Sequence, residues 1–407
     1  MRRPVTLIAL TALSVAGCSN GGQPTAGPST IPSSSVPTTE ATTPSQAPTQ
    51  TPTSTPSATQ QPSCVDQKLK TLTMREQAAQ LIMTGINADG MTSAQRAVVE
   101  GQKSGSILLV GSGGSLAHTR TAMAAVTDAA TVKGIRPLIA ADQEGGQIQR
   151  LKGSGFDRMP AATVQGEWSA GKLTAKARQW GKQLKQAGVN VDLAPVADVV
   201  PESLKGQNAP IGKLDREYGN TPDQVGPAVR AFVQGMNQAG VATSVKHFPG
   251  LGRVRGNTDF AAGVVDTTTV RGDADLKPFA DGIAAGTSMV MISTVTYTKI
   301  DPDNRAVFSP TVVQGMVRGD LGWRGVVITD DVGAAAEVAS IPAGQRATRF
   351  VAAGGDIVIN AKSALTEPMV DALVAKAQQE PAFAVKLTGS VRRVLTLKQD
   401  HGLVSCG

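Results

Sequence analysis

Charged side chains close four of the apolar runs in this sequence, and their placement is the first sign of chemistry. Asp142 follows RPLIAA, Asp198 follows DLAPVA, Lys246 and His247 follow VATSV, and Asp330 with Asp331 follows GVVIT. A charge that ends an apolar strand is costly unless it meets water or a partner. One such ending is unremarkable, but four point to a shared, wet site. Carboxylates placed there can act as nucleophile or as general acid and base, with a lysine and a histidine at hand to bind polar groups. The glycine run Gly111-Ser112-Gly113-Gly114 lacks a lysine at the spacing of a phosphate loop, so it reads as a plain turn.

These residues need elements that aim them at one point. Short apolar runs recur at 79–85, 104–111, 136–143, 189–198, 241–250, 287–294, 325–331 and 355–360. Each is nearly continuous in Val, Ile, Leu and Ala, as strands covered on both faces must be. Amphipathic stretches separate them. One example is TPDQVGPAVRAFVQGMNQAG, which opens on a cap-like Thr221 and closes on Gly240. Eight strands alternating with helices predict a (β/α)8 barrel, whose catalytic groups gather at the C-terminal strand ends. A doubly wound open sheet is the rival, and no GxGxxG follows any strand to favour it.

DQEGGQIQRL (142–151), RMPAA (158–162), APVADV (194–199), REYG (216–219), KHFPG (246–250) and TDD (329–331) occur in an order and spacing that resemble glycoside hydrolase family 3. Within it, they resemble the single-domain β-N-acetylglucosaminidase branch. The resemblance covers essentially all of 64–400 and implies a set of roles. Asp330 would be the nucleophile of a retaining glycosidase, with Asp331 in a structural hydrogen bond. Asp142, Arg150, Arg216, Lys246 and His247 would bind the sugar, and Asp198 would support them. REYG departs from the commoner form of its motif but keeps the arginine.

The branch usually carries an Asp-Ser-His triplet after strand 5, with the histidine as acid–base. Here that triplet is Asn257-Thr258-Asp259, and the chain has only three histidines, His118, His247 and His401. Two-domain members supply an acid from beyond the barrel. With Gly407 closing this sequence, the acid–base is expected from the barrel loops, and Asp259 is the candidate. Asn257 could orient it by a hydrogen bond. An aspartic acid donates poorly at neutral pH unless its pKa is raised, which a facing Asp330 would do. A carboxylate in place of histidine should also repel phosphate and favour water as the acceptor.

The resemblance therefore implies a retaining exo-β-N-acetylglucosaminidase acting on cell-wall fragments such as GlcNAc–MurNAc, with no cofactor and no metal. Two alternatives stay open: a silent sugar-binding lipoprotein, and a β-glucosidase or xylosidase of the same family.

The ends of the chain carry different information. Residues 1–17 combine Arg2, Arg3, a short apolar run and a small-residue exit, as an export signal does. Val15-Ala16-Gly17-Cys18 resembles a bacterial lipobox, so Cys18 is the expected lipidation site. The protein would then be exported and anchored to the outer face of the cell membrane. From Cys18 to Ser63 the chain is Pro-, Ser- and Thr-rich with Glu40 its only charge, which predicts a disordered tether. Residues 64–407 would form the barrel. Cys64 and Cys406 sit at its edges and could pair as a disulfide in an oxidising compartment. The net charge is +7, falling to +5 without Arg2 and Arg3, and aromatics make up 3% of the residues. With no basic run as well, nucleic acid is excluded as an expected partner, and the domain is expected to act as a monomer.

Overall fold

The computed structural model describes residues 63–405, which hold a closed parallel barrel surrounded by helices. Its strands are β1 (Ile82–Asn87), β2 (Ser106–Val110), β3 (Leu138–Ala141), β4 (Val191–Asp192), β5 (Ala242–Phe248), β6 (Met289–Ile292), β7 (Val326–Thr329) and β8 (Val358–Asn360). Neighbours in the sheet follow sequence order from β1 to β7, and β8 returns to pair with β1 through Ile82↔Val358. A parallel bridge between Ile328 and Ile357 closes the ring, reinforced where Thr329 N–H donates to the Ile357 carbonyl at 3.0 Å. All but the last residue of β1 and of β2 are buried, and β3 and β5 to β8 are buried throughout, as strands lined by side chains inside and helices outside require.

The expected run 189–198 is regular only over Val191–Asp192. Pro195 has no N–H to continue the ladder, so the chain leaves the sheet there. It is stitched back where Val196 bridges Lys246 and Ala197 N–H donates to the Lys246 carbonyl at 2.7 Å. Asp198 therefore rides on a loop held against β5 instead of ending a strand.

Helix starts follow local chemistry. Thr73 with Glu76 and Thr92 with Gln95 form reciprocal capping boxes. The helix Pro222–Ala239 begins after Thr221, but the threonine side chain makes no cap bond, and Pro222 takes the first helical position. It ends as the sequence predicts, at Gly240 in the left-handed region with φ 72°.

The two ends of the described region meet. Ile135 bridges Val404, Lys68 and Ser405 flank Gly134, and Asp66 pairs with Arg392. Cys64 is disulfide-bonded. Cys406, Cys18 and the rest of the leader and tether lie outside the described residues. No described helix is long and apolar enough to cross a membrane.

One fully buried lysine braces the N-terminal end of the barrel. Lys398 donates to Gln80 Oε1 at 2.6 Å and to the Gly105 carbonyl at 2.7 Å. Burial pushes its pKa down to about 7 from the ordinary 10.5. Between those values the unfolded chain binds a proton that the folded chain has released, so stability must rise with pH across that window. Replacing Lys398 by Met should flatten the rise, by up to about 1.4 kcal/mol per pH unit relative to wild type. Denaturant unfolding of both proteins at pH 7.5 and 9.5 checks this; parallel pH dependences would refute it.

Candidate active site

The ends of β3, β4 and β5 build a charged floor. Asp142 and Glu144 follow β3 directly, and Lys246 lies on β5 with its side chain 1% exposed. Its ammonium sits 2.7 Å from Asp142 Oδ1 and 2.6 Å from Glu144 Oε1. Glu144 also accepts both prongs of Arg216, Nε and Nη2, each at 2.7 Å, while Arg216 Nη1 donates to the Pro210 carbonyl. Burial alone would push both carboxyls up. Arg216 and Lys246 outweigh it at Glu144, and Lys246 and Arg150 do so at Asp142, so both stay below the usual carboxylate range. Burial likewise opposes the Lys246 charge, yet Asp142 and Glu144 hold its pKa above that of a free lysine.

Asp192, on β4 beneath this group, behaves in the opposite way. It is fully buried and accepts from the Gln143 N–H at 3.1 Å, and its Oδ2 has no partner among the described residues. Burial pushes it well up, outweighing the Gln143 N–H and the charge of Lys246, with smaller repulsion from Asp142 and Glu144.

The KHFPG segment is held by contacts that reach across the barrel. Asp198 Oδ1 accepts from the His247 and Leu251 N–H groups at 3.1 and 2.8 Å, and its Oδ2 lies 2.8 Å from His247 Nδ1. A carboxylate can only accept, so Nδ1 carries a proton. The Tyr297 hydroxyl donates to the Gly250 carbonyl at 2.7 Å. Gly250 has φ 130°, and a side chain at Gly252 would start 1.7 Å from the Val199 carbonyl, so the turn requires both glycines.

Across the cavity, Asp330 follows β7. Its Oδ1 accepts from the Asp331 N–H at 2.8 Å. Asp331 accepts the N–H groups of Gly333, Ala334 and Ala361 at 2.8 to 3.0 Å, which fixes the turn beneath Asp330. Asp259 stands on the loop after β5, exposed to solvent but within the cavity wall. Partial enclosure, then the charges of Asp330 and Asp331, push its carboxyl up to about 6 against the pull of Arg216 and His247. Asn257 Oδ1 accepts the Asp259 backbone N–H at 2.9 Å, so it shapes the turn and leaves the carboxyl free. Phe260 projects beside it, 84% exposed.

Asp142, Arg150, Arg216, Lys246, His247, Asn257, Asp259 and Asp330 thus line one cavity of about 600 Å³. Arg150 reaches to within 3.7 Å of Asp142 Oδ2 and keeps a buried Nε with no partner among the described residues. His118 and His401 are not among the residues lining this cavity. Sequence reading missed Glu144 and Asp192. Glu144 lies inside DQEGG, where an acid beside two glycines looks like turn chemistry. The acidic side chain of Asp192 within an apolar strand was the available signal for the second. An open polar cavity with convergent carboxylates and cations suits a neutral, hydroxyl-rich ligand and acid–base or nucleophilic chemistry on it.

Residues 68–397 match the model of the glycosyl hydrolase family 3 N-terminal domain. A β-hexosaminidase of Xanthomonas axonopodis pv. citri is 34% identical over 251 residues, which span 59% of this chain and 72% of that protein. Among solved structures, a β-N-acetylhexosaminidase from Beutenbergia cavernae is 41% identical with a TM-score of 0.79, over 81% of this chain and 99% of the other. LpqI of M tuberculosis is 27% identical with a TM-score of 0.70, over 80% and 94%.

The His247 geometry has a direct test. In Asp198→Asn, Oδ1 can still accept both backbone N–H groups, but Nδ2 would replace Oδ2 and donate to Nδ1. The imidazole proton should then move to Nε2. Nitrogen-detected NMR of the imidazole should show an Nδ1–H histidine in the wild type and its loss in the variant; an unchanged tautomer would contradict the assignment.

Proposed function

The chain belongs to glycosyl hydrolase family 3 and is a glycoside hydrolase of the β-N-acetylhexosaminidase type, and from that premise we propose that it removes terminal β-linked GlcNAc from peptidoglycan-derived fragments by a retaining mechanism. The hexosaminidase names of its relatives speak against the silent binder and against the β-glucosidase or xylosidase reading. The observation that carries the mechanism is that Asp330 and Asp259 face the same cavity, with Asp259 pushed up to about 6 by its enclosure and by the charges of Asp330 and Asp331. A carboxylate nucleophile and a second carboxyl with a raised pKa are the two groups that a retaining mechanism requires.

In the first step the Asp330 carboxylate attacks the anomeric carbon. The bond from that carbon to the leaving oxygen breaks, and the Asp259 proton passes to that oxygen. In the second, Asp259 takes a proton from water, the water oxygen attacks the anomeric carbon, and the glycosyl–Asp330 ester breaks. Asp142 and Arg150 offer an acceptor and free donors to the sugar hydroxyls, and Lys246 and Arg216 hold the charges beneath them in place. No step calls for a cofactor. The leader and the Cys18 motif support export and lipid anchoring at the outer face of the membrane. Such placement suits a substrate released from the cell wall.

A 4-nitrophenyl GlcNAc leaves with little proton assistance, so it reports Asp330 alone, and Asp330→Asn should abolish its turnover. Asp259→Ala should lower kcat/KM for a GlcNAc–MurNAc disaccharide about 10²-fold or more while sparing kcat/KM for the nitrophenyl sugar, which reports only the first step. Since the acid must be protonated, kcat/KM on the disaccharide should fall as pH rises through about 6. Equal losses on both substrates would remove Asp259 from the mechanism. In phosphate buffer the released product should remain free GlcNAc; a sugar phosphate would show that phosphate, not water, is the acceptor.

A further inference from the structure

The segment after Asp330 does more than carry the nucleophile, because it also grips the loop that bears Asp259. Two backbone contacts join them: Ala336 N–H donates to the Asp259 carbonyl at 3.2 Å, and Glu337 N–H to the Thr258 carbonyl at 3.1 Å. The Glu337 side chain adds a third and a fourth. Its Oε2 accepts the Val264 N–H at 2.9 Å, beyond the tip of the same loop, and its Oε1 accepts Arg305 Nε at 2.7 Å, from the segment after β6. Glu337 is 2% exposed.

One buried carboxylate therefore ties three loops together. A turn in which Phe260 and Ala261 N–H groups both bond the Asn257 carbonyl spans the gap between the anchor points, and Asp259 sits within it. Asp331 fixes the other end of the assembly through its three backbone N–H bonds. A buried ion pair with every oxygen engaged is worth little as bulk stabilisation but is effective at fixing one arrangement among several.

We propose that Glu337, paired with Arg305, is a positioning residue that holds the Asp259 loop at a set separation from Asp330. It touches neither sugar nor reacting atoms and acts only through Asp259. The inference rests on the role of Asp259 proposed above. Its consequence is electrostatic as well as geometric. The groups that face Asp259 are Asp330 and Asp331, which favour its protonated form, and Arg216 and His247, which oppose it. A loop released from Glu337 lets Asp259 drift from the two aspartates, so its carboxyl returns toward the ordinary value of 3.8 and gives up its proton at lower pH.

The test measures Glu337→Ala, Glu337→Gln and the neutral pair Glu337→Gln with Arg305→Gln on the GlcNAc–MurNAc disaccharide and on 4-nitrophenyl GlcNAc. The double variant keeps the shape and avoids a buried unpaired charge, so it serves if the single variants fail to fold. Disaccharide kcat/KM should drop by about 10²-fold in Glu337→Ala, with partial recovery in the Gln variants, while the nitrophenyl sugar changes by less than about threefold. The falling limb of the disaccharide pH profile should move below 6 in the variants. Equal losses on both substrates, or a pH limb that stays in place in a folded variant, would overturn the proposal. Asp259→Ala separates the two readings. If it spares the nitrophenyl sugar and Glu337→Ala does not, only the positioning role fails; if Asp259→Ala itself shows no selectivity, the acid assignment fails first.

Discussion

Everything in this site is arranged around one buried ammonium. Lys246 lies on a barrel strand with its side chain 1% exposed, and it can stay charged there only because Asp142 and Glu144 meet it. Those two carboxylates are in turn too many for one lysine. Glu144 needs the bidentate Arg216, and burial pushes up the carboxyl of Asp192, which has no cation bonded to it. The result is a floor of two negative and two positive charges closed on itself. Removing one partner from such a group leaves a buried charge uncompensated, a cost of about 3–5 kcal/mol. The barrel supplies the geometry, because β3, β4 and β5 are consecutive in the sheet and bring their C-terminal ends side by side.

That balance leaves the cavity above it free for chemistry. Arg150 keeps an unpartnered Nε, and His247 is turned by Asp198, which accepts from its Nδ1. On the far side, the aspartate that binds backbone and the aspartate that faces the cavity are neighbours in sequence. Asp331 spends its oxygens on three N–H groups, which gives Asp330 a rigid base. The family resemblance implied this division of labour, and the hydrogen bonds to the turn that follows are its physical basis.

The barrel was legible because fully covered strands leave an uninterrupted apolar signature, and the polar residues that break it at strand ends mark the site. Features that depend on partners far along the chain were less so. Glu144 and Arg216 are 72 residues apart, and nothing local to either signals the pair. The fourth strand looked ten residues long because APVAD is apolar, whereas Pro195 ends its ladder after two residues. Asn257 does stand against Asp259, but it bonds the backbone, a distinction between side-chain and main-chain acceptance that sequence does not encode. Glu337 sits in an unremarkable AEV turn, and its importance comes wholly from the two loops that converge on it.

The replacement of a histidine by Asp259 becomes intelligible once the source of its raised pKa is considered. A histidine can give and take a proton near neutrality by its own nature, whereas an aspartate must borrow that ability from its surroundings. Here a principal lender is the charge of Asp330. In the proposed reaction that charge is not constant. While Asp330 is a free carboxylate it repels the negative form of Asp259 and keeps the proton available for the leaving oxygen. When Asp330 becomes a glycosyl ester it is neutral, the repulsion falls to that of Asp331, and Asp259 is left as a carboxylate ready to take a proton from water. Filling the cavity with sugar strengthens both effects by excluding solvent from between the two groups. The nucleophile thus sets the protonation state that each step needs, which a histidine in the same place would not require. The same dependence explains why the separation of the two loops matters more in this chain than it would with an intrinsically suitable acid.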